Sequence, residues 1–147
     1  MEKKLIRHFI ATLAYRTTKV IREVPKAYPN LSVGSGIRMP VEILHHMSDV
    51  LLFAYKALVQ SDRVEIPLAP WETEVERFYD VLGRLDEAIV SGAEPRELSW
   101  EQLLQGPLSD VMTHVGQLAM LRRLAGDPVP GENFSRAEIQ IGKVRPM

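Results

Sequence analysis

At 147 residues the chain is long enough to bury about two-thirds of its unfolded surface in one core, and the absence of cysteine excludes disulfides, thiolate metal sites and a cysteine nucleophile. Lys and Arg total 18 against 19 Asp and Glu, so the formal charge is −1 with the signs interspersed, which leaves no electrostatic footprint for nucleic acid. Arg7, His8 and Arg16 break the apolar run that a signal peptide needs, and no window approaches the ~18 apolar residues of a spanning helix, so the expectation is a soluble, cytoplasmic domain without a membrane or nucleic-acid partner.

Ile6, Ile10, Leu13, Val20 and Val24, with Thr17 in the one gap, recur at alternating four- and three-residue steps, which predicts an amphipathic helix over residues 2 to 25. Pro25, Pro29, Gly34 and Gly36 make residues 26 to 38 a connection, and Pro40 with Glu42 opens a second helix to about residue 60. Its apolar side carries Val41, Leu44, Met47, Leu51, Ala54, Tyr55 and Leu58. After Pro67 and Pro70, a third helix over residues 72 to 91 turns Val75, Phe78, Leu82, Leu85 and Ile89 inward and stops at Gly92. The charged run ETEVER at its start reads as acids near the positive helix end. Trp71 and Trp100 stand at helix entries and read as packing anchors.

Ser99 followed by Gln102 is the pattern of a capping box, which predicts a short helix over residues 99 to 105 leading into a fourth long one. That last helix lies within PLSDVMTHVGQLAMLRRLAGDP, residues 107 to 128: Pro107 suits its first turn, Arg122 and Arg123 its negative end, and Gly126 with Pro128 its stop. In the tail, residues 137 to 144, AEIQIGKV, alternate enough for a short strand, although a strand without a partner is marginal. The expected fold is therefore all-α, a four-helix bundle of residues 1 to 147 with a short extra helix and a tail over 128 to 147.

Asp110 and His114 are about one helical turn apart and project from one face, the arrangement that closes on one metal ion or one proton. On a helical wheel they share a sector with Gln117, Leu118, Leu121 and Leu124, so the expectation is a carboxylate set in an apolar sector, which an ion would compensate. The second helix offers His45 and His46, both on the flank of its apolar arc, and periodicity does not choose between them. Either can equally be a boundary histidine with a satisfied hydrogen bond, and the Asp–His pair can equally be an aspartate holding a histidine in one tautomer. Found together on two helices of a bundle, they amount to two histidines and a carboxylate, the minimal set for a metal with open positions. His8 lies off the heptad of the first helix and reads as solvated. Glu42 and His45 match the Glu-x-x-His of di-iron bundles, but no second copy exists. There is no glycine-rich phosphate loop, Gly-x-Ser-x-Gly or His-Glu-x-x-His.

EILHHMSDVLLFAYKAL, followed some fifty residues later by THVGQLAMLRRLAGDPV, resembles the DinB/YfiT-like superfamily of metal-dependent enzymes, which includes the bacillithiol transferases and mycothiol-dependent maleylpyruvate isomerases. The resemblance covers most of the chain in layout and is sharp only in the second and last long helices. It implies a four-helix bundle with a long crossover connection, binding one divalent ion through a histidine of the second helix and a His-x-x-x-His pair late in the bundle. In that pattern the ligands map to His46, preceding Met47 and Ser48, and to His114, preceding Val115-Gly116-Gln117. The first histidine of the pair maps to Asp110, a departure that is similar to the glutamate of the maleylpyruvate isomerase branch.

The implied cofactor is zinc or nickel, with iron or manganese as the other divalent ions. The implied partner is a small-molecule substrate, with a low-molecular-weight thiol as co-substrate if the reaction is thiol transfer or isomerisation rather than hydrolysis. Such an ion acidifies bound water or holds a thiol as thiolate. Asp110 lowers the net charge of the site relative to three neutral histidines, which weakens the hydrolase reading slightly. Gln117, one turn past His114, is a candidate to hydrogen-bond a ligand. The alternative is a non-catalytic bundle that binds metal or a small molecule, with a site closed by a fourth ligand such as His45 or Glu42. The tail after Gly131 has three candidate roles: covering the pocket, joining a homodimer interface or staying mobile.

Overall fold

The computed structural model describes residues 1–62 and 64–146. Four long helices carry it: α1 (Glu2–Ile21), α2 (Pro40–Leu58), α3 (Trp71–Val90) and α5 (Ser109–Leu124), with a single turn, α4 (Trp100–Leu103), ahead of the last. The predicted apolar positions of α1 through α3 are the ones that face inward, and Thr17 is fully buried in the gap of the α1 heptad, its hydroxyl without a hydrogen-bond partner among the described residues. α1 stops four residues before its predicted end because Glu23 adopts a left-handed backbone, φ 52°, just ahead of Pro25.

Side-chain pairs give the helix directions. Arg7 meets Asp86 while Thr18 meets Tyr79, so α1 and α3 are antiparallel. His45 meets Glu74 while the Arg96 N–H meets the Ala57 carbonyl, so α2 and α3 are parallel. Arg122 donates to the Val20 and Arg22 carbonyls, which puts the C-terminal ends of α1 and α5 together. His46 faces His114 while Phe53 faces Gly106 across one groove, so α2 and α5 are antiparallel. α2 packs on α3 and α5, and α1 packs on the same two, leaving α1 and α2 across the diagonal. Parallel α2 and α3 require a connection that returns along the bundle. Residues 59–70 can do so, since twelve residues reach about 40 Å extended, against about 28 Å for the length of α2. Tyr28, fully buried, fixes the other long connection: its hydroxyl donates to the Leu118 carbonyl at 2.7 Å and its ring meets Trp71 edge-on at 5.8 Å. Trp100 is buried as well, so both tryptophans pack as expected.

Two expectations need correcting. Pro107 does not open a helix: it sits inside a π-helical turn, Leu104–Leu108, that joins α4 to α5 without a break. Proline has no N–H to close a normal turn, and the widened turn is closed by the Ser109 N–H on the Leu104 carbonyl, to which the Ser109 hydroxyl also donates at 2.6 Å. Residues 137–144 form no strand, since no other strand among the described residues offers them a partner.

The tail instead lies along the seam between α1 and α3. Glu132 accepts from Lys19 and Tyr15, Arg16 stacks on Phe134 at 3.7 Å, Val144 packs over Gly83, and Arg145 pairs with Glu76 and Asp80. This seam is opposite the one between α2 and α5. Among the described residues no helix is long and apolar enough to cross a membrane.

Candidate metal centre

His46 from α2 and Asp110 and His114 from α5 meet across the α2–α5 seam, each offering a ligand atom within 4.8 Å of the others. His46 Nε2 lies 3.6 Å from Asp110 Oδ2, and the two imidazole centroids are 4.8 Å apart with their planes tilted by 58°. Donors held about 2.0–2.2 Å from a tetrahedral ion sit roughly 3.3–3.6 Å from one another, so the carboxylate and His46 already stand near ligand spacing. They are too far apart to satisfy each other by hydrogen bonding.

The tautomer of His114 is fixed by its own helix, with Nδ1 also 3.7 Å from Asp110 Oδ2. His114 Nδ1 donates to the backbone carbonyl of Asp110 at 2.7 Å, one turn back in its own helix, which commits the proton to Nδ1 and leaves the Nε2 lone pair available. Burial, followed by the charge of Arg38, pulls the His46 pKa below its ordinary value, which favours the neutral imidazole that a metal takes.

Burial of the three residues departs from the expectation. His114 is buried, but the Asp110 side chain is 44 % exposed and that of His46 33 %. Asp110 occupies the first turn of α5, on the open groove beside α2, while Leu118 and Leu121 go into the core and Leu124 turns out to solvent. A carboxylate that water reaches does not require an ion to offset its desolvation. The donor convergence and the fixed tautomer, not a buried charge, make this a candidate centre.

Neither possible fourth ligand joins the group. Glu42 accepts the Met39 N–H at 2.8 Å and caps α2. His45, about 100° around the helix from His46, points to α3 and approaches Glu74 through Nδ1 at 2.7 Å. Glu74 is fully buried and also accepts the Ala69 N–H, while Arg77 reaches from Glu74 and His45 to Asp49. The buried role of Glu74 is absent from the reading of ETEVER as a helix start. Its register with Phe78, Val81 and Leu85 is the signal that puts it on the apolar arc. Gln117 is exposed on the same side of α5 as the pair, and His8 is exposed as expected.

Beside Asp110, an open groove of about 720 Å³ runs between α2 and the π-helical turn, walled by Val50, Phe53 and Pro107 with Thr113 at its edge. It falls within the usual range of ligand sites, roughly 300–1,000 Å³. No family model, curated protein or solved structure matches the chain.

Proposed function

We propose that this chain is a metal-dependent enzyme of the DinB/YfiT-like type, with one divalent ion held by His46, Asp110 and His114 and a small molecule as substrate. The observation that carries the reading is the open donor set: two imidazoles and a carboxylate from two helices converge on one point, and the neighbouring Glu42 and His45 are committed elsewhere. Three ligands with no fourth is the pattern of catalytic rather than structural sites, and two histidines with one carboxylate suit zinc, nickel, iron or manganese. When bound there, the ion supplies Lewis acidity, lowering the pKa of water or of a thiol that enters the open side.

The protein groups have separable tasks. The Asp110 carbonyl orients the His114 ring, and the Asp110 carboxylate tempers the charge of the site. The Val50, Phe53 and Pro107 wall gives an apolar body of the substrate a place to lie next to Asp110. Gln117, exposed one turn beyond His114, is available to hydrogen-bond it. The hydrolytic reading is slightly the weaker of the two, because an anionic ligand makes bound water less acidic than three neutral histidines would, whereas a thiol needs less acidification to ionise near neutral pH.

The test is a panel of low-molecular-weight thiols with electrophilic acceptors, plus ester and amide substrates, offered to protein of known metal content. Metal-dependent turnover that Asp110→Ala abolishes while the helical circular dichroism persists supports the reading. A fully loaded protein inert to the whole panel would assign it instead to non-catalytic metal or small-molecule binding.

A further inference from the structure

The groove beside the candidate metal centre holds a second carboxylate that the ion does not use. Asp49 and Asp110 are the only charged side chains among the described residues that line it, and no lysine or arginine joins them. Asp49 lies on the outer face of α2, about one turn before Phe53, whose ring is 58 % exposed. The α3 side holds it in place: Asp49 Oδ1 accepts from Arg77 at 2.6 Å, and the same guanidinium lies 3.5 Å from the fully buried Glu74. One guanidinium therefore serves two carboxylates. Asp49 Oδ2 stands 3.4 Å from His45 Nε2, longer than the roughly 2.7–3.2 Å of an N–H···O bond, and half of the side chain is open to water. The charge of Asp49 reaches His46, so the carboxylate is within electrostatic range of the metal centre. Arg38 also acts on His46 but does not line the groove.

We infer that Asp49 sets the substrate class of this groove: a small molecule with an apolar body and a protonated amine, rather than a carboxylic acid. Arg77 fixes one oxygen of Asp49, so the other is an acceptor already in position, with little ordering left to do when an ammonium binds. The Val50, Phe53 and Pro107 wall lies beside it for the apolar body. A carboxylate on the substrate would meet Asp49 as a like charge, with no side chain along the groove to offset it. The chemistry at the other end of the molecule rests on the metal-enzyme reading. Recognition of the amine does not, because Asp49 is not one of the three ligand residues.

The test is an amide NMR titration of the full chain near neutral pH, with and without zinc, using phenethylamine, phenethyl alcohol and phenylacetate as probes. The amine should give saturable shifts at Val50, Phe53 and Thr113 and bind about fivefold more tightly than the alcohol, the size of a partly exposed charge contact. The carboxylate should be the weakest of the three. Asp49→Asn, a change at a half-exposed position, should weaken the amine about fivefold with or without zinc and leave the alcohol unchanged. Phe53→Ala should weaken amine and alcohol alike. Equal binding of amine and alcohol, an unchanged amine affinity in Asp49→Asn, tightest binding of the carboxylate, or no saturable shifts would each overturn the inference. Zinc uptake is measured on the same samples, so failure of the metal reading shows as an empty centre and leaves the amine comparison readable.

Discussion

His45 and His46 are consecutive residues of α2, yet they end in seams of opposite character. On the α3 side His45 meets a fully buried carboxylate, Glu74, which also takes a backbone N–H from Ala69, and Arg77 closes the group onto Asp49. On the α5 side His46 meets a half-exposed carboxylate and a second imidazole at distances too long for hydrogen bonds. The residue types are nearly the same, and the difference lies in how far they bond to one another: on the α3 side most groups are paired, with Glu74 Oε1 and Arg77 Nε left over among the described residues, and on the α5 side the carboxylate and the imidazoles are not paired with each other. A closed network holds two helices together. An open one leaves donor atoms of three side chains within 4.8 Å of one another and not spent on each other, which is what a ligand needs.

The comparison breaks most visibly at Glu74. Glu74→Ala leaves His45 and Arg77 facing a buried vacancy and should cost about 3–5 kcal/mol in urea denaturation, the range for removing one partner of a buried ion pair, while metal affinity stays within a few-fold. A mild stability loss together with loss of metal binding would reverse the roles assigned to the two seams.

The next effect belongs to the open seam. Metal at a hundredfold excess over its dissociation constant should stabilise the wild-type chain by roughly 2.7 kcal/mol, read as a rise of roughly 5–10 °C in Tm. The rise should vanish in His46→Ala, whose stability without metal should change by no more than ~1 kcal/mol, since that ring is partly exposed and has no close hydrogen bond. Smaller again is Asp49→Asn. Asp49 is half-exposed where it meets Arg77, and solvent screening limits the loss to about 0–1 kcal/mol.

The smallest effect lies on the α1–α3 seam, and pH brings it out. Hydrogen bonds from Lys19 and then Tyr15 hold the Glu132 carboxyl below its ordinary 4.5, so its contribution to tail docking is fully present above that value. It should be lost as pH falls below 4.5 and through the depressed folded value, visible as a change in the Phe134 ring-proton shifts that Lys19→Met moves toward the ordinary carboxylate pKa.

The helices were legible because their apolar residues repeat with the helical period, and packing used those residues as written. Asp110 and His114 were legible for the same reason: spacing along one helix places both on one face. Periodicity could not choose between His45 and His46, because both flank the apolar arc, and the choice depends on which neighbouring helix each meets. Asp110 was expected in an apolar setting because a helical wheel does not show where neighbouring helices leave a groove, whereas in the molecule Asp110 borders the open groove beside α2 and its side chain stays 44 % exposed. Glu74 was obscured by two adjacent acids of the same helix start, and only its three-dimensional partners distinguish it from them. The course of the tail was illegible for a different reason: it is set by ion pairs with Lys19, Glu76 and Asp80, which are distant in sequence.

The central claim is that His46, and not His45, belongs to a metal centre with Asp110 and His114. The most direct measurement is zinc titration of chelator-treated protein by calorimetry, comparing wild type with His45→Ala, His46→Ala and His114→Ala. One ion should bind per chain in wild type and in His45→Ala, with binding lost in the other two. Unchanged binding in His46→Ala, or loss confined to His45→Ala, would contradict the account.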